Sequence, residues 1–416
     1  MKLNSPLAII VGRIVALGLA VLSAPVVARA IGPEGRGETA TVIAMCILLP
    51  VLVGLGLPLE VRRLASTDPN LRVLDTARKI VAATFPISVL VAWTATQTLL
   101  ESLDARAKVA AFVAIALSHL NLSWACDVSV LVANRGYLWI LALQVVQPSV
   151  YLAGVIVLWS SGGATTATVI YANTAASFVT FATGLVATRR HRGLVPVPSR
   201  GVVRSSVKYF GSSLAEAASS RLDQVLALSL LGASEAGLYS VASTVSSLPS
   251  SVAQGMASSA FPRVVRASGP GRRSEVRRVL RQTLALSALL SLVLVCVGPL
   301  GLKVIFGPQF EGATAALLVL SISSMVANVG FVATACLNAT GKGMQTTAIQ
   351  AISLITSVGS LALLGPLYGS VGAACASGIG SVLLVTFATS RLRVSARAMA
   401  PSLGDIRAGL ARLVSH

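Results

Sequence analysis

Glu216, Ser219, Ser220 and Asp223 recur at i, i+3, i+4 and i+7 inside an otherwise apolar run. At about 100° per residue, seven steps return to nearly the same direction, so the four side chains share one stripe of a helix. Two carboxylates in that position are costly in lipid unless they meet water, a cation or a partner. They either line a central cavity, where they can couple to an ion or hydrogen-bond a sugar, or they knit helices together. Arg221 lies about 200° from Asp223 on the same helix, and so pairs with a neighbouring helix or points toward the interface.

Gln144, Gln147 and Tyr151 repeat the i, i+3, i+7 spacing, as do Ser321, Ser324 and Asn328. Ser243, Ser247, Ser250, Gln254 and Ser258 extend the pattern over a longer run. Small hydroxyl residues also serve close helix packing in membranes, which leaves the amides as the better cavity candidates. Arg13 stands about six residues into the first apolar run. It either snorkels to the interface or forms an anion site at a cavity mouth, suited to bidentate recognition of a pyrophosphate. His119, Asn121, Ser123 and Asp127 span more than one helix face, with Asp127 near the end of its run, where it can meet Arg135. Glu60 beside Arg62 and Arg63 reads as an interface cluster. The candidate cavity set is therefore Arg13, Asn121, Gln144, Gln147, Glu216, Arg221, Asp223, Gln254 and Asn328.

Other chemistry is missing. Gly341-Lys342 does not complete a Walker A sequence, because Cys336 stands where the first Gly belongs and Gly343 replaces the Ser or Thr. The three histidines form no HxxH or HExxH arrangement, and Cys46, Cys126, Cys296, Cys336 and Cys375 all sit in apolar runs as small hydrophobes. No nucleophile, base and orienting group form a constellation. No catalytic residue, metal or cofactor is expected, and the implied activity is movement, not bond chemistry.

The elements that must position these residues are membrane helices. Of 416 residues, 55% are hydrophobic and only 11% charged, with a mean hydropathy of +0.81, where a soluble domain carries about 25% charged residues. Apolar runs fall at about 7–30, 39–61, 80–100, 109–132, 137–159, 166–187, 209–231, 237–262, 282–306, 313–338, 345–364 and 371–390. Each approaches the roughly 20 residues that a span requires, so the expected fold is all-α, integral to the membrane, with twelve transmembrane helices. The net charge of +19 is mostly an orientation signal. On the side of the N-terminus the connections and tail hold 26 Lys and Arg, the opposite side holds 5, and Arg13 and Arg221 remain within runs. Both termini are expected in the cytoplasm, and no nucleic-acid footprint is implied. The dominance of Arg over Lys suggests a GC-rich bacterial genome.

The long connection at 188–208 divides a six-helix bundle over 1–187 from a second over 209–390, followed by a basic tail at 391–416. In that tail Ile406, Leu410 and Leu413 fall at the spacing of an interfacial amphipathic helix. Two six-helix halves of the same orientation make a parallel repeat. Gly32-Pro33-Glu34-Gly35-Arg36-Gly37 and Gly232-Ala233-Ser234-Glu235-Ala236-Gly237 stand at an offset of 200, and Arg63 and Arg263 close the second helix of each half at the same offset. Pro25, Pro50, Pro86, Pro148 and Pro249 interrupt five runs and permit kinks.

Three stretches resemble the polysaccharide biosynthesis, or O-antigen, flippase family of the MOP superfamily, which also holds the MATE exporters and lipid II flippases. The first is Val27 to Gly37, closing the first helix. The second is Arg221-Leu222-Asp223-Gln224-Val225, continued by Leu230-Leu231-Gly232 and Gly237-Leu238-Tyr239-Ser240-Val241-Ala242. The third joins Ile305-Phe306-Gly307, Asn338-Ala339-Thr340-Gly341-Lys342 and Pro366 to Ala374. The resemblance implies a MATE-like pair of six-helix bundles in a bacterial plasma membrane, open alternately to each side. It also implies an undecaprenyl-diphosphate-linked oligosaccharide as substrate, carried from the cytoplasmic to the outer leaflet. Asp223 is the cavity candidate that also falls in a family motif. Na+ or H+ coupling, with membrane lipids and a glycan polymerase as partners, belongs to the same expectation. The alternatives are a MATE-like ion-coupled exporter of small molecules and a membrane partner of a polymerase without transport.

Overall fold

The structure is a computed structural model that describes residues 7–68, 70–190, 195–395 and 399. Most of the tail at 391–416, including its expected amphipathic helix, lies outside the described residues, as does Lys2. The chain forms α1 (Leu7–Gly54), α2 (Leu57–Thr67), α3 (Val73–Ala83), α4 (Phe85–Gln97), α5 (Ala105–Leu117), α6 (His119–Ala133), α7 (Tyr137–Ser160), α8 (Thr166–Ala187), α9 (Ser199–Leu231), α10 (Ala233–Ser246), α11 (Ser250–Arg266), α12 (Gly269–Gly301), α13 (Ala313–Ala339) and α14 (Gly343–Leu392). The twelve apolar runs fall on these helices, and among the described residues the β pairing is one isolated bridge, Leu71 with Val195. This is the economy that lipid imposes, since only a helix or a closed barrel satisfies its own backbone there.

Among the described residues eight segments are long and apolar enough to cross a membrane; α14, at 50 residues, contains two of the twelve runs, and α1, at 48, contains the first and most of the second, which ends in α2. The seventh and eighth runs are not among the eight. In α9 the apolar stretch is interrupted by Glu216, Arg221 and Asp223, and the eighth run is broken into α10 and α11 at residues 247–249. The two most polar spans of the sequence are thus adjacent in the chain. Pro249 occupies the N-cap of α11 and Pro86 the first turn of α4, so both start helices instead of kinking them. The break at Pro249 also divides the expected stripe from Ser243 to Ser258 between two helices, so it is not one continuous face.

The sharp corners are made by glycine. Gly32 inside α1 has φ 71° and ψ −176°, Gly232 between α9 and α10 has φ 84° and ψ 166°, and Gly369 bends α14 with φ 56° and ψ −135°. Such conformations cost little only without a Cβ. Gly32 and Gly232, separated by 200 residues, share nearly the same backbone geometry, so the echo in the sequence is also an echo in shape. The two corners touch. A Cβ on Gly37 would fall on the Ala233 carbonyl, and one on Gly237 on the Pro33 carbonyl and 3.2 Å from the Gly37 nitrogen.

By compactness the chain divides into residues 1–237 and 238–416, because α9 packs on α1, where the Thr41 hydroxyl donates to the Gln224 carbonyl at 3.1 Å. In the first unit Leu57, Val61, Val73, Leu74, Ala77, Leu122 and Cys126 pack α2, α3 and α6 together. In the second, Ala253, Met256, Ala257, Val279, Leu280, Val332 and Ala333 do the same for α11, α12 and α13. Lipid does not drive apolar burial as water does, so alanines that admit close approach carry much of this packing. Large apolar side chains such as Trp93, Ile355 and Leu363 remain outside it.

Gly237→Ala should destabilise the solubilised protein by about 1–3 kcal/mol, the usual cost of forcing atoms into a filled contact. Gly18→Ala is the control, because nothing lies within 4 Å of its position. A thermal-shift series checks this, and equal melting temperatures for the two variants would contradict the corner contact.

Candidate functional site

On α9 the structure sorts the stripe by exposure. Glu216, Ser219 and Ser220 are exposed, Asp223 is half-buried, and Ala215, Ala218, Val225 and Leu228 bury the other side, while Ala227, the next position along the stripe, is buried as well. Asp223 Oδ1 accepts from the backbone N–H of Gln224 at 2.8 Å, and Arg221 Nη1 donates to Gln224 Oε1 at 3.1 Å. Arg221 therefore finds a partner on its own helix, one turn away, which neither of its expected positions supplied. Arg221, Asp223 and Gln224 form one cluster, about two turns along α9 from the exposed Glu216.

The other candidates divide by what holds them. Asn121 donates to the Cys46 carbonyl at 3.2 Å and accepts from Trp124 Nε1 at 3.3 Å, which joins α6 to α1. Gln147 donates to Ser177 Oγ at 3.1 Å and joins α7 to α8. Gln144 faces α1 at Gly12, where a Cβ would lie 2.5 Å from its Oε1, and that oxygen is buried without a partner. In the second unit Asn328 is buried and donates to Ser287 Oγ at 3.3 Å, between α13 and α12. Gln254 is half-buried on α11 and Arg13 is exposed on α1. Arg221 and Asp223 are linked through Gln224, whereas Asn121, Gln147 and Asn328 are held in separate helix pairs.

Three polar features have no signal in local spacing. Arg36, in the corner after Gly32, has a buried Nε without a hydrogen-bond partner, and its charge acts on Tyr151, whose buried hydroxyl also lacks one. Gln282 is 1% exposed, with both amide atoms unpartnered. The third is an ion pair. Asp127, 0% exposed, accepts from Arg78 Nη2 at 3.0 Å and from Thr188 Oγ1 at 3.2 Å, while Arg78 also reaches Thr188 Oγ1 at 2.8 Å. The expected partner Arg135 is exposed past the end of α6, whereas Asp127 looks inward toward α3 and α8. No periodicity could reveal a pair 49 residues apart.

Glu60 is 1% exposed and is held by Arg63 Nε at 2.9 Å. In the second unit Arg263 pairs instead with Glu275 of α12 at 3.0 Å, because the position equivalent to Glu60 is Ala260. Among the described residues no three His, Cys, Asp or Glu side chains converge as a metal site.

A family described as polysaccharide biosynthesis protein matches residues 3–268, well over half of the chain. The chain belongs to the polysaccharide biosynthesis protein family. The MatE family matches residues 209–367 as well, so the two matches together span both units. Among solved structures, a lipid II flippase MurJ in an inward closed conformation is similar with a TM-score of 0.74 at 13% identity, over 98% of this chain and 91% of that one. An inward-facing multidrug resistance MATE transporter of the MOP superfamily follows at 0.70 and 12%, over 91% and 94%. No curated protein sequence matches significantly. The fold is therefore the MOP membrane fold, twelve helices in two sets of six, and the proteins that share it are transporters, not enzymes.

Breaking the buried pair should be costly in this family member. Arg78→Met should lose about 3–5 kcal/mol, because it strands the buried Asp127 charge, and Asp127→Leu less, because Arg78 is 23% exposed, whereas the double variant should regain most of the first loss. A double-mutant cycle on thermal stability reads this directly, and additive losses would mean that the pair does not couple.

Proposed function

We propose that this protein is a flippase that moves an undecaprenyl-diphosphate-linked oligosaccharide from the cytoplasmic to the outer leaflet by alternating access. The observation that carries the reading is the polysaccharide biosynthesis match over residues 3–268, which ends beyond the α9 cluster. Glycan and diphosphate must cross a region that lipid cannot solvate, while the polyprenyl chain can stay in the bilayer. A helix too charged to be an ordinary span, with Glu216, Ser219 and Ser220 exposed, supplies such a polar lining. Arg221, held by Gln224, is a cation suited to the diphosphate. Glu216 and Asp223 then bind sugar hydroxyls or couple to Na+ or H+.

The charge distribution supports the orientation: 26 basic residues on the side of the termini against 5 opposite put both termini in the cytoplasm of a bacterial plasma membrane. Residues 1–187 and 209–390 are proposed as the moving bundles, with 188–208 as their linker. The apposed corners around Gly37 and Gly237 suit a pivot, since backbone packed on backbone can rotate without side chains interlocking. A glycan polymerase that consumes the outer-leaflet product is the expected partner.

The MatE match over 209–367 favours a second reading, an ion-coupled exporter of small molecules. The two separate in reconstituted vesicles. A labelled polyprenyl-diphosphate oligosaccharide placed in one leaflet should become accessible in the other, with Glu216→Gln or Asp223→Asn slowing exchange by about tenfold, roughly 1.4 kcal/mol on the rate-limiting barrier. Exchange at the background of empty vesicles overturns the flippase reading. Dye efflux abolished by Asp223→Asn, with no lipid exchange, would establish the exporter.

A further inference from the structure

Where α1, α5, α6 and α8 meet, a cavity of about 10 Å³ lies among Cys46, Ser118, Asn121, Asn173, Thr174 and Ser177. That is room for one water molecule and nothing larger. No charged side chain lines the cavity, so nothing there balances an ion. It also adjoins two hydrogen-bonded pairs that are otherwise separate: Asn121 on the Cys46 carbonyl, which joins α6 to α1, and Gln147 on Ser177, which joins α7 to α8.

The donors and acceptors around the cavity do not balance among themselves. The hydroxyls of Ser118 and Thr174 are spent on nearby backbone carbonyls, Ile115 at 2.7 Å and Ile170 at 2.9 Å. Ser177 is different: it is 8% exposed, its Oγ accepts from Gln147 Nε2, and its own O–H has no acceptor among the described residues. Asn173, half-buried on α8, makes no side-chain hydrogen bond among the described residues. On the other helices there is acceptor capacity to spare. Pro50 lies inside α1 and has no N–H to give the Cys46 carbonyl four residues earlier. Asn121 Nδ2 supplies that carbonyl with one hydrogen bond, and Trp124 Nε1 gives one to Asn121 Oδ1, which leaves a lone pair on each oxygen.

We infer that this cavity holds one ordered water, which bridges α8 to α1 and α6. Water accepts twice and donates twice, so a single molecule can take the Ser177 and Asn173 donors and serve the Cys46 and Asn121 oxygens. Lipid offers no such service, and a buried donor without an acceptor is costly. A bridging water is enthalpically nearly as good as a direct hydrogen bond. It turns the α1–α6 and α7–α8 pairs into one network through the first unit, whose links can be exchanged through the water without stranding a polar group. The inference stands without the flippase reading.

The cavity carries its own probe, because Cys46 lines it and is 4% exposed, while Cys126 and Cys336 are each 1% exposed and line no part of it. The full chain in nanodiscs is given brief X-ray irradiation, which makes hydroxyl radicals from water in place, and oxidation of the three thiols is followed by mass spectrometry. Cys46 should be oxidised severalfold faster than Cys126 and Cys336. Asn173→Leu, which removes the amide, and Ala114→Val, which fills the cavity from α5 and removes no polar group, should each bring Cys46 down to the rate of the other two. A misfolded variant would instead raise all three together, and the comparison of thiols in the parent protein then decides. Cys46 oxidised no faster than Cys126 and Cys336 in the parent, or at a rate that both folded variants leave unchanged, overturns the proposal.

Discussion

A carboxylate with no access to water must be given a cation, and Asp127 is the place where this chain meets that constraint, at Oδ1. Its partner Arg78 comes from α3 and its second donor, Thr188, follows α8, so three helices have to meet at one oxygen. Gly184 is part of the same fit: a Cβ there would lie 2.5 Å from Asp127 Oδ2. Replacing one member by an apolar group strands the other, and that asymmetry fixes the arrangement more firmly than any one apolar contact. The loop before α3 and the linker before α9 then lie side by side, and the Leu71–Val195 bridge follows.

α9 treats its charges in the opposite way. Glu216 is exposed, Asp223 is half-buried and accepts a hydrogen bond from a backbone amide, and Arg221 is held by an amide of its own helix. Charges that only hold helices together are expected to look like Asp127, enclosed and paired with a cation. Charges kept at a surface within an apolar run serve no packing purpose, and their cost needs another explanation. That contrast within one unit is the physical argument behind the proposed role of α9.

Much of this was legible in the sequence, and the failures have causes. Ten of the twelve runs are legible from apolar length, because lipid leaves the backbone no alternative, whereas the seventh and eighth carry charge or a break and need the family pattern as well. The pairing of Gly32 with Gly232 was legible because a corner needing positive φ selects glycine at the same place in both halves. The partner of Asp127 was not, since ion pairs between distant helices leave no periodic trace. The long serine stripe misled because spacing assumes an unbroken helix, and Pro249 breaks it. Asn121, Gln147 and Asn328 show a further limit: the same amide spacing that suits a cavity also suits helix-to-helix hydrogen bonds.

The basic residues can now be separated by what they do. Most of the 33 lie in connections and orient the chain, yet Arg78 does so while neutralising Asp127, and Arg63 and Arg263 while holding Glu60 and Glu275. Arg36 is different. Among the described residues it forms no ion pair, and its Nε is buried without an acceptor. Arg36 is half-buried, so its guanidinium can keep part of its hydration where Asp127 cannot, and the corner that bends at Gly32 tolerates a cation without a paired carboxylate.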